Sequence, residues 1–212
     1  MQYGRASTLS TGVVALCFMA TAPCATQAQQ SRAHVDSVLV ARDLDGDGNT
    51  DYIVRESRAS QGGLRPRRLA IYLGVGPATA RASWTTDWDD EFGAQVEVAE
   101  LLPLGTSSTL VAVSEPQADY QSTHVVLIRA QRAKTLIVHG IDYGEGYFQL
   151  RLEGGRAVVD ATQEHLVIGG KAVDGTLACA DAQLPALRLV FDPRAERFVP
   201  EHPRCIKPPG TP

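Results

Sequence analysis

Short aliphatic and β-branched runs recur along this chain about every 8–14 residues, each bounded by Gly, Pro, Asp or Asn. They lie at 35–41, 52–55, 68–73, 95–102, 109–114, 124–129, 135–139, 147–152, 156–160, 165–168, 187–191 and 197–199. No stretch sustains the i, i+3, i+4 apolar period with caps that a helix needs. Runs of this length and spacing predict an all-β domain, an antiparallel meander of about 10–12 short strands built as a sandwich or a small irregular propeller. Gly154-Gly155 falls between two of the runs and reads as a tight hairpin turn.

Both ends of the chain lie outside that pattern. Residues 1–28 carry one charged side chain, Arg5, then an apolar core from Gly12 to Ala22, then Thr26-Gln27-Ala28. This is the layout of a secretory signal peptide cleaved after Ala28, with an apolar run too short to span a bilayer. A lipid anchor on Cys24 fits poorly, because Pro23 stands where a small residue is needed. Residues 29–206 then form one domain, long enough for a real core. The tail 207–212 has no apolar side chain and reads as disordered. The expected location is the periplasm or the medium.

Without the leader the chain has 19 basic and 24 acidic side chains, a net charge of −5. That balance argues against nucleic acid as a partner and suits a basic or neutral one. No later segment has the length of a transmembrane helix. Two cysteines remain, Cys179 and Cys205. In an exported protein a disulfide between them is the expected state, and two free thiols are the alternative. Closing that loop contributes about 3.5 kcal/mol in the chain-entropy model.

Between the first two runs stands Asp43-Leu44-Asp45-Gly46-Asp47-Gly48-Asn49-Thr50-Asp51, with carboxylates at positions one, three, five and nine. Four like charges so close together repel, so a bare loop of this kind gains little by folding. A hard divalent cation reverses that sign. Calcium takes six to eight oxygens at about 2.3–2.6 Å, and Gly48 allows the sharp turn that brings alternate Asp side chains to one point. Magnesium dehydrates reluctantly and demands octahedral geometry, so calcium is the expected ion. An acidic turn without an ion is the alternative.

An EF-hand would place its bidentate Glu at position twelve, which here is Val54, and would have helical flanks. The flanks alternate as strands instead. The pattern Asp-x-Asp-x-Asp-Gly-x-x-Asp within Val38 to Val54 resembles the calcium loops of the FG-GAP/VCBS family, known from integrin α-subunit propellers and secreted bacterial proteins. The resemblance implies that Asp43, Asp45, Asp47 and Asp51 supply side-chain oxygens and Asn49 its backbone carbonyl. It covers one copy only. Asp87 to Gly93 and Asp142 to Gly146 are acidic but lack the pattern.

Catalytic motifs are absent: no Gly-x-Ser-x-Gly, no His-Glu-x-x-His, no phosphate-binding loop. His34, His124, His139, His165 and His202 are dispersed. Glu115, Asp119, Asp142 and Glu145 are loop carboxylates from which a glycosidase pair would have to come. Two segments suggest recognition. Trp84, Trp88, Asp89 and Asp90 combine aromatic anchors with acids that steer basic partners, although a Trp plugging the core is the simpler reading. Arg55, Arg58, Arg65, Arg67 and Arg68 form a cationic stretch that either grips an anion or decorates a loop.

These features point to a non-enzymatic, calcium-binding module of the cell envelope. Small periplasmic β-proteins with one such loop resemble inhibitors or immunity proteins of peptidoglycan hydrolases. A carbohydrate-binding or carbohydrate-active protein, with Trp84 and Trp88 stacking on sugars, is the alternative. The expected partner is a protein or glycan of the envelope.

Overall fold

The computed structural model describes residues 33–59, 66–78, 80–88, 96–116, 120–142, 146–163, 165–173 and 186–206, the side chains of 116 and 202–206 excepted. The expected leader and tail, and Cys24, Cys179, Asp89, Asp90, Arg65, Asp119 and Glu145, lie outside the described residues, as do the side chains of Cys205 and His202.

The described residues form fourteen strands and no helix, in antiparallel sheets that do not close into a barrel. Strands β1 (His34–Arg42), β2 (Asp51–Ser57), β3 (Arg67–Tyr72) and β4 (Trp84–Thr85) meander as a first sheet. Strands β5 (Glu97–Pro103), β6 (Ser108–Pro116), β7 (Tyr120–Arg129) and β8 (Arg132–Asp142) meander as a second. Short strands β11 (Leu166–Ile168) and β12 (Lys171–Ala172) extend it beyond β8. The third sheet has the order β14-β13-β10-β9, with β9 (Phe148–Glu153), β10 (Arg156–Thr162), β13 (Ala186–Asp192) and β14 (Arg197–Ile206).

The three sheets stack as layers, an arrangement consistent with an all-β sandwich. Alternation along β6 and β7 shows how. Leu110, Ala112, Val125 and Leu127 pack against Val159, Leu189 and Phe191 of the third sheet. Val111, Val113, Val126 and Ile128 pack against Ile53, Leu69 and Ile71 of the first. Both faces of the middle sheet are buried. Its central strands therefore read as unbroken apolar runs, whereas a half-exposed strand alternates. Each such side chain contributes roughly 1.5–3 kcal/mol of burial. A register shift between Val125 and Val126 leaves Leu136 without a cross-strand partner, so that Leu136 and Ile137 both face the third sheet.

Two-residue turns join several strands. Gly154 and Gly155 have φ of 58° and 79° and connect β9 to β10, as their sequence predicts. Ala130 and Gln131 make the same kind of turn between β7 and β8, with φ of 49° and 58° and no glycine. Such a turn needs positive φ at both positions, which L-residues with a Cβ adopt only at a cost.

Candidate functional site: the acidic loop

The acidic loop spans residues 43–50 between β1 and β2, and the Arg42–Asp51 pair closes the hairpin beneath it. Two glycines shape it. Gly46 has φ of +78°, and a Cβ there would stand 2.0 Å from the Thr106 carbonyl oxygen, so only glycine fits. Gly48 has open space around it but a φ of +85°. Asp43 then caps the turn from inside, accepting the Gly46 N–H at 2.6 Å and the Gly48 N–H at 2.9 Å.

Asp45 and Asp51 are buried, at 4% and 0% exposure. Asp51 accepts the Leu44 N–H at 2.8 Å and the Gly74 N–H at 2.7 Å. Asp45 accepts the Asp47 N–H at 3.2 Å and, from across the layer, the Gln131 N–H at 2.5 Å. Carboxylate oxygens of Asp43, Asp45 and Asp51 all lie within 4.8 Å of one another. Asp47 turns elsewhere. It accepts from Asn49, backbone and side chain, at 2.7 and 3.1 Å, and from the Gln131 amide at 3.0 Å. Three of the five expected ligands thus converge, while Asp47 and the Asn49 side chain engage each other.

Electrostatics separates the acids. Burial pushes the Asp51 carboxyl above its usual range, and the charges of Asp45 and Asp47 add to the shift, against the pull of two backbone N–H bonds. Asp47 goes the other way, held low first by the Gln131 amide and then by Asn49. Among the described residues, no lysine or arginine forms a salt bridge with any of these acids. Buried carboxylates that face each other without a cation are costly. A carboxylate accepts at about four lone-pair positions, so two N–H bonds leave Asp51 and Asp45 able to ligate. The donor set is all hard oxygen and could hold a hard metal cation.

The loop reaches beyond its own hairpin. Leu44, only 2% exposed, points into the core between the first and second sheets, and its carbonyl accepts the Thr109 hydroxyl at 2.7 Å. Gly46 lies on the β5–β6 turn through Thr106, Asp45 and Asp47 grip the β7–β8 turn through Gln131, and Asp51 holds Gly74 just past β3. The apolar Leu44 amid four acids is a readable hint of docking. Gln131 and Thr109 carry no local signal, being 86 and 65 residues away from their partners.

The aromatic segment is committed to internal contacts. Trp84 is half-buried at the margin of the core between the first two sheets. Its indole N–H donates to Thr135 Oγ1 at 2.8 Å, and its ring meets His124 edge-on at 5.9 Å. Trp88 is half-buried too, with the guanidinium groups of Arg58 and Arg68 at 4.9 and 4.3 Å from its ring centre. Arg68 also donates to the buried Glu56 at 2.7 Å, and Glu56 in turn accepts the Tyr72 hydroxyl. Burial, then that bond, pushes the Tyr72 phenol up to about 12. Arg55 donates to the Val96 carbonyl at 2.8 Å, and Arg67 lies 3.9 Å from Asp36. The described arginines of the cationic stretch thus engage internal partners, Arg58 and Arg68 sharing Trp88.

One constellation has the residue types of a hydrolytic triad. His124 Nε2 lies 3.2 Å from Ser122 Oγ and 3.5 Å from Glu115 Oε2. Both partners meet the same ring nitrogen, whereas a relay needs the acid on one nitrogen and the nucleophile on the other. His139 is fully buried, its Nε2 within 3.0 Å of the Thr162 carbonyl and hydroxyl oxygens. Burial pushes it down to about 4, so it is a neutral core residue.

Fold and site together define a layered all-β domain with a carboxylate-rich loop at the seam between two sheets. Compared with protein-family models, with curated proteins and with solved structures, the chain matches none.

Proposed function

We propose that the protein is an exported β-domain that binds calcium at Asp43, Asp45 and Asp51 and acts by holding a partner rather than by catalysis. The observation that supports the ion is the convergence of three carboxylate oxygens within 4.8 Å, with no salt bridge to them from a lysine or arginine among the described residues. The acidic balance of the chain supports a basic envelope protein as the partner, and a peptidoglycan hydrolase is the class that fits that charge best. Retention of envelope proteins on the immobilised mature domain, with calcium and again with chelator, tests the reading. Capture of a basic hydrolase only with calcium, together with its inhibition at micromolar domain, is the expected result. Failure to slow any lysozyme-type hydrolase in the presence of calcium refutes the partner class.

A further inference from the structure

A second concave site lies at one end of the seam between the second and third sheets. It is a cavity of about 590 Å³. That volume is within the range of small-ligand sites. Its walls are apolar: Leu104, Leu127 and Phe191 line it, with Leu152, which is 45% exposed and so unusually bare for its type. Its rim is cationic, because Arg129, Arg156 and Arg194 are all exposed and all border the same opening. Arg129 reaches Glu196 at 3.0 Å and Arg156 reaches Glu201 at 3.4 Å, through exposed pairs that contribute little and yield readily to a ligand. Arg194 forms no salt bridge with a described residue, although the nearby Asp192 carboxylate feels its charge and accepts its backbone N–H at 2.9 Å. Among the described residues, no carboxylate lines the cavity itself.

An apolar pocket closed by three guanidinium groups selects for both halves of an amphiphile. The walls favour an apolar body, and the rim favours an anionic head that planar guanidinium donors hold by paired hydrogen bonds. We infer that this cavity binds a small amphiphilic anion, an aromatic or acyl body bearing one carboxylate, sulfonate or phosphate. The site shares no residue with the acidic loop. Its mouth is nevertheless built on Gly105 and Ser107 of the β5–β6 turn and on Arg129 beside the β7–β8 turn. Those are the two turns of the second sheet that the acidic loop touches, so the rim stands on supported backbone.

Two naphthalene probes of nearly equal apolar body test the inference on the full mature domain with calcium present. The first, 8-anilino-1-naphthalenesulfonate, is anionic. The second, N-phenyl-1-naphthylamine, is the same body without the sulfonate. The anionic probe should bind at one site per chain at least tenfold more tightly than the neutral one. Arg156→Gln with Arg194→Gln should weaken the anion at least tenfold and change the neutral probe less than twofold, with the melting curve unaltered. Arg129→Gln repeats the measurement should the double variant fold poorly. Equal affinity for the two probes, or full retention of the anion by both variants, overturns the inference. Two further results also overturn it: binding to anionic phospholipid vesicles without uptake of the soluble anion, and a dimer in light scattering that takes up no probe.

Discussion

Asp45→Asn separates an ion site from a hydrogen-bonded acidic turn, because the two readings give it opposite signs. Asp45 lies within 4.8 Å of both Asp43 and Asp51, oxygen to oxygen. Water screens the exposed Asp43, so the pair of Asp45 with the buried Asp51 dominates; at an effective dielectric constant of about 20 it repels by about 3.5 kcal/mol, which neutralising Asp45 removes from the ion-free protein. Against that stands one lost acceptor. The amide keeps an oxygen for either the Asp47 or the Gln131 N–H but not both, at a cost of about 1.5–3 kcal/mol. In chelator the variant should therefore melt no lower than the wild-type protein.

With calcium the balance inverts. An ion at 100 times its dissociation constant stabilises the fold by about 2.7 kcal/mol. For a domain of this size that is a rise of about 5–10 °C in Tm. The variant lacks a charged ligand at a buried position and should lose most of that rise. Differential scanning calorimetry of both proteins, each with millimolar calcium and each with chelator, gives four curves. A crossover is expected, with the variant level or higher in chelator and lower in calcium. A variant that melts equally far below the wild-type protein in both buffers refutes the reasoning, since hydrogen bonds alone would then account for the loop.

Two other perturbations follow from groups elsewhere in the fold. His139 is depressed to about 4 by burial, from an ordinary value of 6.5. A histidine held neutral contributes stability that is complete above 6.5 and lost as pH falls towards 4, so urea titrations of the chelated protein should lose about 2 kcal/mol between pH 7.5 and pH 5 through this group. His139→Gln should flatten that part of the profile, and an unchanged slope sinks the assignment. Ala130→Gly relieves a left-handed residue in the β7–β8 turn and should raise stability by about 1 kcal/mol in thermal melts, whereas the same change at a position of ordinary φ would lower it.

The strand runs and the sheet class were legible because burial writes itself into periodicity, whereas the pairing of β10 with β13 and of β11 with β8 was not. The runs at 109–114 and 124–129 are unbroken since both faces of β6 and β7 are covered. What periodicity could not show were the polar ends. Strand β7 begins at Tyr120 and β8 runs on to Asp142, through Ser122 and Gly140, neither of them a strand signal. Pairing imposes them: a Cβ on Gly140 would fall inside the Tyr120 phenol, so the glycine is there to admit that ring. The run at 197–199 covers only the start of β14, which continues past Pro200 and Pro203 at the edge of its sheet, where a missing N–H costs least. The two-residue strands β4 and β12 are too short to show a period at all. At the acidic loop the convergent acids are close in sequence and were readable. Gln131 and Thr109 were not, because only the stacking of two sheets brings them there. The same stacking places Trp84 at the margin of the core, where a core-plugging Trp was the simpler reading of its segment.

The position of the loop changes what an ion there would do. Read along the chain, it closes one hairpin. In the fold it touches Gly74 of the first sheet and two turns of the second, and it seats Leu44 in the core between them. The loop therefore cannot open alone. Releasing Asp45 and Asp51 would withdraw Leu44 from its packing and leave the Thr109 hydroxyl and the Gln131 N–H without their acceptors. Buried groups left unpaired cost about 1–3 kcal/mol each, so opening the site and separating the sheets are one event. An ion bound there draws its affinity from the same contacts, and its binding free energy is folding free energy for the seam as a whole.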